Sequence, residues 1–259
     1  MVIKNTTLLN SVATLTLLGG GGIGLAALSA PLGIWLGLWE FGTGFKILRG
    51  VFPFTGWIGL GCLVIAIALL GTAKKLGADN GIDLFNMAAA GALASGIAWY
   101  IPSSFQAPEG ISYPPIHDVS TDLVDIPQYV AVMPLRADSP NTTVYGGSRN
   151  MTPERNAQLQ QEGFPDLVPR FYTDSSDLMF ARALVAVDNM DWELVVAVPE
   201  SGRIEATATT FWFRFKDDVV IRLREEDGQT RVDARSLSRV GGGDAGTNGK
   251  RLLKFFEIL

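Results

Sequence analysis

Residues 192–240 read WELVVAVPESGRIEATATTFWFRFKDDVVIRLREEDGQTRVDARSLSRV, and apolar and polar side chains alternate along much of this stretch. Alternation with a period of two is typical of β-strands, and it occurs in four runs, WELVVAV, RIEATATTFWF, DVVIRLR and TRVDARSLSRV. The turns between these runs are short enough for hairpins. The stretch therefore predicts an antiparallel four-stranded meander, and the charges of its last strand predict that one sheet face is solvated.

Helix signals lie on both sides of this meander. Thr152 before Pro153 predicts the N-cap and first turn of a polar helix, and Asp174 or Ser175 predicts the cap of a second one. The second helix and a closing helix that begins at Gly249 both show apolar residues at helical spacing. These residues are Leu178, Ala181, Leu184 and Val185, then Leu252, Leu253, Phe256 and Leu259. Helices before and after a meander predict an α+β domain with the helices packed on one face of the sheet.

The region before this domain divides into a loop-rich segment and an apolar half. Residues 102–150 are rich in Pro, Asp, Ser and Gly, so we interpret them as an extended linker with loops and place the α+β domain at 151–259. Residues 1–101 contain three long stretches that are almost free of charge. These lie at about 8–28, 53–73 and 84–101. Each is close to the roughly 20 residues that cross a hydrocarbon core of about 30 Å, so we predict a membrane anchor of three transmembrane helices.

The first span allows alternative interpretations. Its apolar core follows Lys4 as in a cleaved signal peptide, but the core is long for one, so we expect a retained helix. The four consecutive glycines from Gly19 to Gly22 indicate either a flexible, loosely packed helix or close contact with a neighbouring helix. The sequence leaves both possibilities open.

The segment between the first two spans, residues 31–52, mixes aromatic side chains with charges. That mixture is typical of the membrane interface, so we predict a loop on the membrane surface. Three spans place one set of basic residues on each side of the membrane, and the positive-inside rule favours the larger set in the cytoplasm. The larger set is Lys4, Lys74 and Lys75, and the smaller is Lys46 and Arg49. We therefore expect a multi-pass protein of the inner, cytoplasmic membrane with a periplasmic C-terminal domain.

The composition excludes several classes of partner and cofactor. Residues 1–101 hold five basic and three acidic residues and the remainder holds 16 and 23, so the two parts carry +2 and −7. An acidic soluble half argues against nucleic acid, whose phosphates need a basic surface. Cys62 and His117 are the only residues of their types, and no calcium-loop motif occurs. We therefore predict no metal, no cofactor and no nucleic-acid partner, with the lipid bilayer as one partner.

The candidates for catalysis are weak. His117 and Asp118 are adjacent, but neighbours in an extended segment point to opposite faces and cannot act on one another. Ser236 and Ser238 lack the G-x-S-x-G surroundings of a hydrolase nucleophile. The glycines at 241–243 lack a phosphate-loop motif and indicate a strand-to-helix turn. A carboxylate pair for a hydrolase of envelope polymers would have to come from Glu205, Asp217 and Asp218. We assign no catalytic residue and expect a protein that is not an enzyme.

The arginines of the last strands allow two interpretations. Arg231, Asp233 and Arg235 share one strand face, which favours an ion-pair ladder that Arg222 and Arg224 of the preceding strand can join. The alternative is an arginine-lined pocket for a carboxylate or phosphate group. The candidate ligand-binding residues for that pocket are Arg235, Arg239, Arg224 and His117.

The order of motifs in the C-terminal half resembles that of the uncharacterised domain-of-unknown-function family 1499. The motifs are PPIHDVSTD (114–122), WELVVA, GRIEATATTFWFRFKDDVVIRLR, RVDARSLSRVG and a D-x-G-x-N pattern, and the resemblance covers about residues 111–259. The segment LGLWEFGTGFKILRG (36–50) is similar to the anchor loop of such proteins. The resemblance implies a bacterial membrane protein and brings no activity. The chain departs from the pattern in its three glycines at 241–243 and in its short basic stretch, Lys74-Lys75.

Together these features favour a non-enzymatic membrane protein whose external domain binds a partner protein or scaffolds an envelope complex. The alternative is a module that binds a lipid or a small anionic ligand at the membrane surface, with Arg235 or Arg239 at the anionic group. A hydrolase is a third and weaker hypothesis.

Overall fold

A computed structural model describes residues 2–104, 112–147 and 151–259. The chain forms two compact units, residues 1–106 and residues 107–259.

The described residues of the first unit form three long helices: α1 (Val2–Trp35), α2 (Phe41–Leu76) and α3 (Gly81–Ser103). Each contains a stretch that is long and apolar enough to cross a membrane. The prediction of three apolar N-terminal helices is therefore confirmed. Most of their large apolar side chains are exposed, as is expected where the surrounding solvent is lipid.

The connection between α1 and α2 is much shorter than the predicted loop over 31–52. Both helices continue into that segment, so that only residues 36–40 lie between them. Trp39 in this connection folds back and donates its Nε1–H to the carbonyl of Ala30 at 3.1 Å. The prediction was wrong because hydropathy marks only the apolar part of a helix, whereas backbone hydrogen bonding continues through aromatic and charged residues at its ends.

The glycine run of α1 makes a close contact with α3. A Cβ atom on Gly20 would lie 2.5 Å from the carbonyl oxygen of Gly91, and one on Gly91 would lie 2.7 Å from that of Thr16. Ser95 adds a hydrogen bond across the same contact, from its Oγ to the carbonyl of Gly20 at 3.0 Å. Small residues thus allow the two backbones to approach, and the close-contact alternative for this run is the one that the structure adopts.

Within its described residues, the second unit is built on one antiparallel sheet of six strands. They are β1 (Asp118–Ser120), β2 (Arg170–Tyr172), β3 (Glu193–Val198), β4 (Arg203–Thr209), β5 (Lys216–Glu226) and β6 (Gln229–Ser238). The order across the sheet is β1-β6-β5-β4-β3, and β2 also pairs with β6. The four strands of the predicted meander are present. The count of four was wrong because β1 and β2 have three residues each, too few to show alternation in the sequence.

Three helices cover one face of this sheet: α4 (Pro153–Gly163), α5 (Ser176–Asn189) and α6 (Thr247–Ile258). The predicted caps are present, because Thr152 accepts a hydrogen bond from the N–H of Arg155 and Ser175 accepts one from that of Leu178. The core between helices and sheet is apolar and includes Met179, Val219, Ile221, Leu252 and Phe255. The α+β class and the packing of helices on one sheet face are therefore confirmed.

Residues 112–147 belong to this second unit and do not form a separate linker. They contain β1 and a short 3₁₀ helix, Met133–Arg136, and otherwise little regular structure. Residues 121–147 pass over the sheet face opposite the helices, where Tyr129 and Val132 pack against Val220 and Leu237. We call residues 121–147 the cover segment.

Candidate functional site

The sheet face beneath the cover segment carries charged side chains from β1, β4, β5 and β6. We call it the ionic face and define it by Asp118, Glu205, Asp218, Arg222, Arg224, Arg231, Asp233, Arg235 and Arg239. Several of these side chains are fully buried, which corrects the prediction of a solvated face. The sequence pattern misled because charged residues usually mark solvent, whereas here each has partners that allow its burial.

Arg235 lies at the centre of the ionic face and is inaccessible to solvent. Its Nε and Nη2 atoms donate to the two carboxylate oxygens of Asp118 at 2.9 and 2.8 Å. Its Nη1 donates to the carbonyl of Pro127 at 3.1 Å, and Nη2 also donates to that of Thr143 at 2.7 Å. The ring of Tyr129 lies against the guanidinium, 4.9 Å from centroid to Cζ. Arg235 thus joins β6 to β1 and to the cover segment, and its donors are engaged within the protein.

Asp218 is the centre of a second group. Its Oδ1 accepts hydrogen bonds from Thr207 at 2.8 Å and from Arg239 Nη2 at 2.7 Å. Its Oδ2 accepts from Arg239 Nε at 3.0 Å and from Arg136 Nη1 at 2.5 Å. This fully buried carboxylate is therefore held between two guanidiniums, that of Arg239 directly after β6 and that of Arg136 in the cover segment. Such charge-assisted pairs are among the stronger hydrogen bonds in proteins.

The third group places three arginines around two carboxylates. Asp122 Oδ2 accepts from Nη2 of Arg231, Arg222 and Arg224 at 2.6, 3.2 and 3.3 Å. Asp233 Oδ2 accepts from Nη2 of Arg222 and Arg224 at 3.0 and 3.1 Å, and its Oδ1 accepts from Arg231 Nε at 3.1 Å. Cross-strand ion pairs of the kind that the ladder interpretation predicts thus form among Arg222, Arg224, Arg231 and Asp233, and Asp122 of the cover segment joins them. Arg235, which the prediction placed in the same ladder, bonds to Asp118 instead.

The surroundings of Asp122 favour its charged form. Burial works in the opposite direction, but the backbone N–H groups of Asp125 and Val124 donate to Oδ1, and the guanidiniums of Arg231 and Arg222 face the carboxylate. Together these contacts outweigh burial and hold the pKa of Asp122 below its usual range. Asp122 therefore both shapes the turn at the start of the cover segment and neutralises the arginines beneath it.

Glu205 of β4 binds the cover segment through backbone groups. Its carboxylate oxygens accept hydrogen bonds from the N–H groups of Val130, Ala131 and Val132 at 2.9 to 3.1 Å. Arg203 Nε lies 3.0 Å from Oε1. The side chain of Glu205 is fully buried. A carboxylate with these contacts is a structural anchor for the turn at 130–132 and is not positioned for hydrolysis.

On the opposite face, the two serines of β6 bond to Asn248 at the start of α6. Ser236 Oγ lies 2.7 Å from Asn248 Oδ1, and Asn248 Nδ2 donates to Ser238 Oγ at 2.9 Å and to the carbonyl of His117 at 3.0 Å. Arg251 Nη2 donates to Asp217 at 2.6 Å beside them. The arrangement joins α6 to the sheet, and it is a polar contact between elements and not a nucleophile beside a base.

The D-x-G-x-N pattern has a structural explanation at the same place. Asp244 accepts the N–H groups of Gly246 and Asn248, both at 2.8 Å, where α6 begins. Gly246 has φ +79°, and a Cβ atom on it would lie 2.5 Å from the ring of Tyr113. The pattern thus builds the connection from β6 to α6, so that the glycines at 241–243 form part of a strand-to-helix turn.

The edges of the sheet differ. On one side, β1 and β2 both pair with the outer edge of β6. On the other side, β3 pairs only with β4 among the described strands, with a bulge between Leu194 and Val196. The side chain of Leu194 is 49% exposed, and Val195 to Val198 are half-buried. β3 is therefore an apolar edge strand with one side unpaired by any described strand.

The structure brings three of the four candidate ligand-binding residues together. Arg224, Arg235 and Arg239 lie on the ionic face, each bonded to a carboxylate, whereas the buried His117 lies where β1 begins and bonds through its carbonyl to α6. Within the described residues, no group of three or more His, Cys, Asp and Glu is arranged to hold a metal ion.

Sequence reasoning missed the partners that the cover segment supplies. They are Asp122, Asp125 and Arg136, and they lie in the part interpreted as a linker. A signal existed only for Asp122, because the motif PPIHDVSTD contains it together with Asp118, and that motif belongs to the family resemblance and not to any periodicity.

Taken together, the chain is a membrane-anchored protein with an antiparallel α+β domain whose buried charges are paired internally. The sequence profile described as "Protein of unknown function (DUF1499)" matches residues 125–259. The match covers more than half of the chain, so the chain belongs to the DUF1499 family. A search of the curated proteins finds no match to it.

Proposed function

We propose that this protein is a non-enzymatic membrane protein of the bacterial inner membrane, whose periplasmic domain binds an extended segment of a partner protein along β3. The observation that carries the proposal is the apolar edge of β3, which no described strand pairs on its outer side. An edge strand presents backbone N–H and C=O groups to which another chain can add a strand.

The side chains of β3 suit such an addition. Main-chain hydrogen bonds supply affinity in strand addition, and alternate side chains supply specificity. Leu194 is exposed at the start of the strand, and the half-buried residues that follow it are all apolar, from Val195 to Val198. The strand offers an added segment an apolar surface on both sides of the sheet edge, and the bulge at Val195 restricts the register in which a segment can pair.

The bonding of the buried charges on both sheet faces supports a binding role over catalysis. The carboxylates that a hydrolase would need, Glu205, Asp217 and Asp218, are each bonded to backbone N–H groups or to arginines. The arginines that would bind an anionic ligand face carboxylates of the same chain, as Arg235 faces Asp118. These charges therefore act within the fold, and the proposal places the partner at the edge of β3.

The positive-inside rule supports the periplasmic location of the domain, with Lys74 and Lys75 on the cytoplasmic side. Alkaline phosphatase fused after Leu259 should be active in cells, because the enzyme folds only in the periplasm. An inactive but stably produced fusion would contradict the orientation and leave the edge-binding proposal to its own test.

Co-purification with matched variants tests the binding proposal. Full-length wild-type protein, Leu194→Lys and Val185→Lys are each purified from native membranes in mild detergent, and the bound proteins and lipids are identified by mass spectrometry. Val185 is 60% exposed on α5 and is not a residue of β3, so it controls for adding a charge at an apolar surface.

We expect one or more stoichiometric proteins with the wild type and with Val185→Lys, and a loss of at least tenfold with Leu194→Lys. Equal recovery with all three would exclude the β3 edge as the binding surface. A defined lipid bound without any protein would overturn the proposal in favour of a lipid-binding module, for which Arg224, Arg235, Arg239 and His117 are the residues to change.

A further inference from the structure

The edge strand β3 begins with a carboxylate that has no partner among the described residues. The side chain of Glu193 is exposed and makes no hydrogen bond or ion pair with them. Its Cα partner on β4 is Thr207, whose Oγ1 donates to Asp218 on the ionic face. Residues directly opposite each other in an antiparallel pair project to the same face. Glu193 therefore projects to the side of the sheet that holds the cover segment, which we call the cover side.

A cation lies beside the other end of β3. Val198 pairs with Arg203 of β4, and Arg203 projects to the cover side, since its Nε is 3.0 Å from Glu205 Oε1. Its side chain is 26% exposed, and its Nη1 and Nη2 atoms have no hydrogen-bond or ion-pair partner within the part of the chain that the structure describes. The arginines of the ionic face, by contrast, all bond to carboxylates through such terminal nitrogens. Arg203 therefore has donors left for a carboxylate outside the chain.

Between these two charges, the cover side of the edge is apolar. Residues 130–132 turn above β4, where Glu205 binds their N–H groups, and Glu205 pairs with Val196 of β3. Val195 packs against the apolar cluster beneath the cover segment. Val130, in the turn itself, is 52% exposed. A strand added to β3 would therefore meet apolar side chains at its centre on this side.

The opposite side of the edge, which faces the helices, is apolar at both of its positions. Leu194 pairs with Ala206 and Ala197 pairs with Ile204, and both of these β4 residues lie in the apolar core. Leu194 and Ala197 therefore project to the helix side. Along β3 the helix side is thus uniformly apolar, whereas the cover side carries an acid, an apolar centre and a base in that order.

Resting on the proposed function, we infer that the segment bound along β3 is an apolar strand with a basic residue opposite Glu193 and an acidic residue within reach of Arg203. Opposite charges on facing strands attract, and like charges directly opposite are destabilising. The added strand would lie about 10 Å from β4, two strand spacings, and long side chains meet across the small Val198 between them. The bound segment pairs with the six residues of β3, so its two charges lie at its two ends.

Selection of displayed random peptides tests this inference without knowledge of the natural partner. Full-length wild type, Glu193→Lys and Glu225→Lys, purified in detergent, are each exposed to phage that display random peptides of twelve residues. Phage that also bind Leu194→Lys are removed. Glu225 is an exposed carboxylate of β5, so its variant controls for the change in net charge.

We expect the wild type and Glu225→Lys to select apolar segments with Lys or Arg at one end and Asp or Glu at the other. Glu193→Lys should select segments with acidic residues at both ends, because both ends of the edge are then basic. A peptide selected by the wild type should bind Glu193→Lys at least about threefold more weakly in fluorescence anisotropy. Replacement of its basic residue by Glu should restore the binding.

Two results would overturn the inference in different ways. Selected segments with the same charges for the wild type and Glu193→Lys would overturn it alone and leave the β3 edge as the binding surface. Recovery of no peptide that requires Leu194 would overturn the proposed function as well.

Light scattering of the same preparations detects a second copy of the chain on this edge. Leu194→Lys would then convert a dimer into a monomer, and that result would also overturn the inference, because the edge would be occupied by β3 of another copy.

Discussion

The two faces of the sheet come from alternate residues of the same strands, yet they are stabilised by different interactions. Along β5, Val219 and Ile221 face the helices and lie in the apolar core, whereas Asp218 and Arg222 face the cover segment. Apolar burial is non-directional and tolerates varied partners, so it holds helices of ordinary amphipathic pattern. Buried charges are tolerated only with specific partners, so the ionic face holds a segment with little regular structure in one defined position.

The largest effect should follow from breaking the central pair of the ionic face. Arg235→Met leaves the Asp118 carboxylate buried without its partner, and we expect a loss of about 4 kcal/mol in the free energy of unfolding of the domain. Hydrogen exchange of β5 and β6 amides in the full-length protein in detergent measures it.

The double variant Asp118→Asn/Arg235→Met is the control for this prediction. It removes both charges, and it should recover part of the loss. The hydrogen bonds from Arg235 to Pro127 and Thr143 remain absent, so recovery is incomplete. If Arg235→Met alone lowers the free energy of unfolding by less than about 1 kcal/mol, the pair of Arg235 and Asp118 is not a structural anchor.

A comparable change on the apolar face should lower the free energy of unfolding slightly less. Ile221→Ala leaves a cavity beneath the helices, and we expect a loss of about 3 kcal/mol. Because no charge is involved, the loss should be the same at low and high salt and between pH 4 and pH 8. A marked dependence on salt would contradict the division of the sheet into an apolar and an ionic face.

Asp122→Asn should produce a smaller, pH-dependent loss, of about 2 kcal/mol at pH 7. The side-chain oxygen of Asn can still accept the N–H groups of Val124 and Asp125, so the variant removes mainly the charge. The pKa of Asp122 is lowered on folding. Its contribution is therefore complete above the ordinary carboxyl pKa of about 3.9 and is lost as the pH falls towards the lower, folded value.

Unfolding of the wild type and of Asp122→Asn measured from pH 7 to pH 3 checks this sign. The difference between the two proteins should shrink at the acid end. A difference that stays constant over this range would mean that the charge of Asp122 does not stabilise the fold.

The smallest effect should come from an ion pair outside both faces. Lys254 and Glu257 of α6 are 2.9 Å apart and exposed, and Glu257→Gln should change the free energy of unfolding by less than about 0.5 kcal/mol. The same exchange measurement applies. A loss as large as that for Arg235→Met would show that burial does not distinguish the ion pairs of this domain.

Local signals explain which parts of this fold are predictable from sequence. The four long strands, the Thr152 and Ser175 caps and the helices follow from periods and cap residues within short windows. The strands β1 and β2 do not, because three residues show no period. The predicted end of α1 and the predicted start of α2 are wrong because hydropathy falls before each helix ends.

The candidate site shows more clearly what cannot be predicted from the sequence. The shared face of Arg231 and Asp233 follows from alternation along one strand, but the partner of Arg235 is Asp118, 117 residues away. Nothing within a local window connects two such residues, and a charged residue by itself indicates solvent more often than a buried pair. The burial of the ionic face could therefore not be predicted from the sequence, because it depends on the contact with the cover segment.

Hydrogen exchange along β3 tests the central functional claim most directly. The full-length protein is compared in native membrane patches and after purification to a single component in detergent. We predict that the amides of Glu193–Val198 exchange at least tenfold more slowly in the native membrane, while those of α5 around Val185 do not change. Equal exchange of β3 in both states would contradict the account, because no partner strand would then be hydrogen-bonded to this edge.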